Sequence, residues 1–186
     1  MTRSEAPPAG YRGETVGLDE LLAARERRAA LQAALIGRHK VPLVSLTIVM
    51  PGPVKDNDWA RRALCEASLS FDTLCKRKKW PVMSHQLRSL RSGPEALYAV
   101  DADAAALKAS TIELEDRHPI GRLWDFDVID AGGSSLSRTA LGLGHRRCLV
   151  CDRSARECGR ARRHPLALLL SAIGNMMDEQ HAAASG

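Results

Sequence analysis

The run Leu123-Trp124-Asp125-Phe126-Asp127-Val128-Ile129 constrains the chain most, because it mixes aliphatic and aromatic residues in the manner of a β-strand. Side chains alternate faces along a strand, so Trp124, Phe126 and Val128 point one way and Asp125 and Asp127 the other. Two carboxylates on one face, roughly 7 Å apart along the strand, repel each other. A divalent cation is one reason for both to stay charged, and carboxylate oxygens suit Mg²⁺ held together with substrate phosphates. The competing reading is an edge strand that turns two aspartates to water. Gly121-Arg122 just before the strand, and the arginines after it, shift the weight toward a phosphate site.

The segments upstream alternate between helix and strand signals. Residues 1–16, rich in Pro, Gly and charge, are expected to form a loose tail. A helix is expected over 18–36, with Leu18, Leu22, Ala29, Ala33 and Ile36 on one face and Arg25 near the middle of it. An arginine on an apolar stripe needs an anion. Either an internal salt bridge supplies one, or Arg25 reaches into a phosphate pocket. A strand over 43–50 stops at Pro51-Gly52-Pro53, and Lys55 then precedes a helix over 58–79 capped by Asn57 or Asp58. Lysine at a stiff turn before a helix start is a plausible anion cradle, although a solvated turn is the commoner outcome. Trp59, Ala63, Ala67, Phe71 and Leu74 share a side of that helix.

Residues 80–90 are ambiguous between strand and helix. A strand is expected over 95–100 and a helix from an Asp101 or Asp103 cap to about residue 116. This strand–helix–strand order suggests that 95–100 and 123–129 are parallel neighbours. A last helix over 165–178 would turn Leu166, Leu169, Leu170, Ile173 and Met177 inward, with residues 181–186 frayed. The fold class is therefore α/β (α+β), a mixed sheet with flanking helices, in one unit over 17–180.

Residues 138–164 are unlike the rest. Arg138, Arg147, Arg160 and Arg163 belong to a run of arginines without a single lysine, which favours bidentate oxyanion recognition. Cys148, Cys151, Cys158 and His164 are spaced C-x2-C-x6-C-x5-H. Three thiolates and an imidazole make an acceptable tetrahedral zinc site, but the second half is irregular for a finger. Reduced thiols packed in a core are the alternative. Five cysteines, an odd number with three clustered, argue against a disulfide framework. The net charge of +5 favours acidic partners, whereas 4% aromatic residues supply few platforms for stacking bases. No leader pattern and no apolar stretch long enough to span a bilayer is present, so a cytoplasmic protein without membrane partners is expected.

Pro51-Gly52-Pro53-Val54-Lys55, the block from His118-Pro119-Ile120-Gly121-Arg122 through Val128, Arg138, Arg147-Cys148-Leu149-Val150-Cys151 and Cys158-x-Arg160-x-Arg162-Arg163-His164 occur in that order. Together with Ala24-Arg25-Glu26-x-Arg28 they resemble the citrate lyase holo-acyl-carrier-protein synthase family, also called apo-citrate lyase phosphoribosyl-dephospho-CoA transferase. Trp124 and Ile120 stand where other apolar residues are expected, which alters packing and leaves the chemistry intact. The resemblance implies a nucleotidyltransferase-like fold and reaction. The phosphoribosyl-dephospho-CoA part of 2′-(5″-triphosphoribosyl)-3′-dephospho-CoA would pass to a serine on the apo acyl-carrier subunit of citrate lyase, and pyrophosphate would leave.

On that reading Asp125 and Asp127 hold Mg²⁺, while Arg122, Arg138 and Lys55 clamp the triphosphate, with Arg25 a weaker candidate. The arginine-rich segment equally suits docking of an acidic carrier protein. Alternation puts Asp130 on the opposite face, so no third carboxylate is evident. Two rivals stand beside this reading: a synthase serving malonate decarboxylase, and a zinc-ribbon nucleic-acid-binding module, which leaves the aspartate pair unexplained.

Overall fold

Three apolar runs pair around one central strand. In the computed structural model, which describes residues 8–184, β1 (Leu43–Ile48) lies between β3 (Glu95–Val100) and β4 (Trp124–Ile129). β2 (Val82–Arg88) and β5 (Ser135–Leu136) complete a sheet of order β2-β3-β1-β4-β5. Every pairing is antiparallel. The α/β architecture with flanking helices is as expected, but β3 and β4 are not neighbours. The crossover helix α3 (Ala104–Arg117) carries the chain past β1, which takes the place between them.

Alternation along these strands sets the two faces. Val44, Leu46, Tyr98, Trp124, Phe126 and Val128 enter the main core, where α2 (Asp58–Lys78) contributes Trp59, Ala63, Ala67, Phe71 and Leu74, the five residues its period singled out. Burying each large apolar side chain contributes about 1.5–3 kcal/mol. The Asn57 side chain caps α2 by accepting from the Ala60 amide at 2.9 Å, and Asp103 caps α3 in the same way at 2.7 Å. The opposite face carries Leu43, Leu97 and Ala99 against Leu35 and Ile36 of α1 (Leu18–His39). Asp125 and Asp127 are on this second face, opposite Thr47 and Ser45 of β1.

Three expectations need correction. Most of the apolar face assigned to α1 is not the buried one: Leu18, Leu22, Ala29 and Ala33 are exposed, as is Arg25, and of that face Ile36 alone is buried, beside Ala24 and Leu35. The neighbouring Arg28 satisfies its charge on buried Glu95 at 2.8 Å, and Arg88 meets the same carboxylate at 3.0 Å. Of the expected tail, residues 1–7 lie outside the described residues, and 8–16 are anchored at two points while residues 12–15 are exposed. Tyr11 and Val16 are buried, and the Tyr11 hydroxyl donates to the Pro51 carbonyl at 2.9 Å and accepts from the Val54 amide at 3.2 Å. At the other end α5 (Leu166–Ala184) stays helical through 181–184, with residues 185–186 outside the description. Leu170, Ile173 and Met177 are buried as expected, Leu169 is half-buried and Leu166 is 39% exposed.

The turn before β4 explains one glycine. Ile120, Gly121 and Leu123 are buried in a short 3-10 turn, and a Cβ on Gly121 would sit 2.5 Å from the Glu115 carbonyl oxygen. Only glycine lets the chain pass this close to the end of α3 on its way into the strand.

Candidate active site

β4 has an incomplete partner on its outer edge, since β5 pairs only with Val128 and Ile129. The backbone of Phe126 is satisfied instead by two side chains of α3. Its amide donates to Glu115 Oε1 at 2.8 Å, and its carbonyl accepts from Lys108 Nζ at 2.6 Å. Both side chains stand on the buried face of α3. Between α3, β4 and the segment after β5 lies a hollow of about 290 Å³, lined by Lys108, Glu115, Asp125, Asp127, Arg138 and Arg146 together with residues 135–137.

The hollow holds three acids and three bases. Arg138 donates to Glu115 at 2.7 Å and to Asp116 at 2.9 Å, which holds its proton more tightly than usual against the cost of burial. Arg146 donates to Asp125 at 3.2 Å. Asp127 stands in no ion pair among the described residues, and its pKa is raised above the ordinary carboxylate value. Burial is the main cause and repulsion from Asp125 the second, with Lys108 pulling the other way. Asp127 is nevertheless open to solvent on one side, which screens this penalty.

The structure redistributes the residues that the sequence singled out. Asp125, Asp127 and Arg138 come together. Arg122 does not enter the hollow: its guanidinium donates to the carbonyls of Arg147 and Cys148, the latter at 2.8 Å. Lys55 Nζ donates to the Met50 carbonyl at 2.5 Å, and burial lowers its pKa. Arg25 projects from the exposed side of α1, while Arg147, Arg160 and Arg163 are exposed around the cysteine segment. Lys108, Glu115 and Arg146 were missed. Lys108 and Glu115 had a readable signal, since residues seven apart share a helix face with buried Leu107 and Ile112. Arg146 had none, being one arginine among eight.

Cys148, Cys151, Cys158 and His164 offer ligand atoms that all lie within 4.8 Å of one another. Cys148 and Cys151 flank a tight turn, where the Cys148 amide donates to the Arg153 carbonyl at 2.7 Å and the amides of Val150 and Cys151 face the Cys148 sulfur. Cys158 comes from the short helix α4 (Ala155–Arg160), and His164 lies two residues before α5. The cysteines are free thiols, with Cys151 and Cys158 sulfurs 3.5 Å apart. The four residues could hold a metal ion.

Residues 16–180 match the family described as apo-citrate lyase phosphoribosyl-dephospho-CoA transferase. The protein of that name from Citrobacter koseri is 44% identical over 155 residues, covering 83% of this chain and 85% of the relative. That from Escherichia coli O7:K1 is 41% identical over 167 residues, covering 90% and 91%. The chain belongs to this transferase family. The resemblance in its motifs and the match over most of its length agree.

In this transferase the carboxylate hollow is not the roomiest cavity. One of about 530 Å³ lies beside the cysteine cluster, walled by Val49, Met50, Leu149, Leu166 and Leu169 with Arg162 at its rim. Its walls are mostly apolar, so it offers contact area but no paired carboxylates for phosphoryl chemistry. No helix among the described residues is long and apolar enough to cross a membrane.

Proposed function

We propose that this transferase moves the phosphoribosyl-dephospho-CoA group of 2′-(5″-triphosphoribosyl)-3′-dephospho-CoA to a serine of the apo acyl-carrier subunit of citrate lyase, with release of pyrophosphate. It is a nucleotidyltransferase reaction, carried out in the cytoplasm by the unit 17–180 without nucleic-acid or membrane partners. The names of the relatives support the donor group and the acceptor enzyme. The observation that carries the site is the opening of Asp125 and Asp127 into a hollow that also presents Lys108, Arg138 and Arg146.

The serine oxygen bonds to the phosphorus attached to the ribose, the bond from that phosphorus to the pyrophosphate oxygen breaks, and the hydroxyl proton leaves to water at the mouth of the hollow. Asp125 and Asp127 fit a magnesium site: they share a strand face, line the same hollow, and Asp127 is in no ion pair among the described residues. Mg²⁺ held there would neutralise triphosphate charge. Glu115 is the third carboxylate of the hollow, but it is committed to the Phe126 amide and Arg138, which makes it a positioning residue. Arg138 and Arg146 present guanidinium groups already oriented by carboxylates, so little reorganisation is needed when phosphate oxygens arrive. Arg122 acts on the site through the backbone of the cysteine turn, and Lys55 braces the turn after β1. Arg25, Arg147, Arg160 and Arg163, all exposed, are left for the carrier protein.

The test is incubation of the protein with the triphosphoribosyl precursor, Mg²⁺ and apo carrier, followed by the intact mass of the carrier. The expected result is a carrier heavier by one prosthetic group, and no gain with Asp125→Ala or Asp127→Asn. Full transfer by either variant rejects the assignment. Replacing the carrier by that of malonate decarboxylase separates the two acceptors.

A further inference from the structure

The segment from residue 142 to His164 has little apolar reason to fold. Leu143 is 43% exposed, Leu149 only half-buried, and most of its arginines point to solvent. Its one helix, α4, has six residues and no side-chain cap. Yet the segment is held in a defined place against the entrance to β4, by a reciprocal pair of arginines. Arg122, before the strand, donates to the carbonyls of Arg147 and Cys148 in the cysteine turn. Arg146, before that turn, donates back to the carbonyls of Gly121, Arg122 and Trp124 and to the Asp125 carboxylate. Arg146 thus grips the backbone around Arg122, and Arg122 grips the two residues that follow Arg146.

We infer that Cys148, Cys151, Cys158 and His164 bind one zinc ion, and that this ion locks the Arg122–Arg146 clasp, so that Arg146 is delivered to Asp125. Zinc bonds of 2.3 Å to sulfur and 2.0–2.1 Å to nitrogen give tetrahedral ligand edges of roughly 3.5–3.8 Å. The separations of 3.5 Å between Cys151 and Cys158 and 3.4 Å between Cys151 and His164 Nε2 come close to these edges. The donor set selects the metal class: three thiolates and an imidazole suit Zn²⁺, and with all four positions filled by protein the site is structural. Binding involves no oxidation; the ligating thiols lose their protons to solvent as the ion enters. Cys148 also anchors the far end of the clasp, because the carbonyl that receives Arg122 is its own. Only the last link, delivery of Arg146 to the catalytic hollow, rests on the transfer reading.

The full-length protein, purified without metal supplements and with reductant, is examined by elemental analysis and by limited trypsin digestion. The segment carries its own cleavage sites. The expected result is about one zinc per chain, retained in His164→Cys, which keeps four ligands, and lost in His164→Ala and Cys158→Ser. Stripping zinc with a chelator should speed cleavage within 146–163 by about tenfold or more, while the far-ultraviolet circular dichroism of the sheet and large helices is kept. Iron or copper in place of zinc, a Cys151–Cys158 disulfide by mass, or unchanged cleavage after stripping overturns the proposal. None of these readouts uses the transfer reaction, so failure of that reading is seen separately, as zinc-replete protein that modifies no carrier.

Discussion

Asp127 carries a conflict between stability and chemistry. Its carboxyl binds a proton more tightly in the fold than in the unfolded chain, through burial first and Asp125 second. Protons therefore favour the fold. Stability falls as pH rises from the ordinary carboxylate range through the higher folded value, and the deficit then persists at neutral pH. Asp127→Asn removes that deficit. In metal-free buffer at about pH 7 the variant should melt at a higher temperature than the parent, with the gap closing once pH falls below the usual carboxylate range. Carrier modification by the same variant should fall by about a hundredfold or more. A variant that melts lower at neutral pH would show that Asp127 is structurally favourable, contrary to its surroundings.

At the scale of elements, the proposed site lies at the edge of β4 that β5 leaves open and α3 flanks. Lys108→Met keeps much of the side chain's bulk but strips the Phe126 carbonyl of its donor. A buried acceptor without a partner costs about 1–3 kcal/mol, which urea unfolding should register as a lower midpoint with unchanged slope. Much of this architecture was legible beforehand. The limits of β3, the caps of α2 and α3 and the inward row of α2 follow from local period and capping chemistry. The face of α1 was misread, because amphipathic counting weights every turn equally. Leu35 and Ile36 in the last turns pack on the sheet and Arg28 reaches Glu95, whereas Leu18 and Leu22 are exposed. β2 was ambiguous for a related reason: it is an edge strand whose Val82, Met83 and Leu87 are exposed, so no buried row imposes a clean alternation.

Over the whole molecule, 27 basic against 22 acidic side chains leave a net charge of +5. Arg147, Arg160 and Arg163 display part of the excess around the cysteine segment. If this surface steers an acidic carrier, the KM for carrier should rise by about threefold to tenfold between roughly 50 and 200 mM salt, with kcat little changed. Steady-state kinetics at saturating precursor checks this, and a flat salt profile would place the docking surface elsewhere. The strand with two aspartates on one face, the helix starts and the close spacing of three cysteines and a histidine were determined by sequence alone, since period, capping and spacing are local properties. Tertiary structure alone decided that Lys108, Glu115, Arg138 and Arg146 gather about the aspartates, and that Arg122 turns away to grip the cysteine turn. Those outcomes depend on which strand edge is left unpaired and on where distant segments return to cover it, and no short window of residues carries that information.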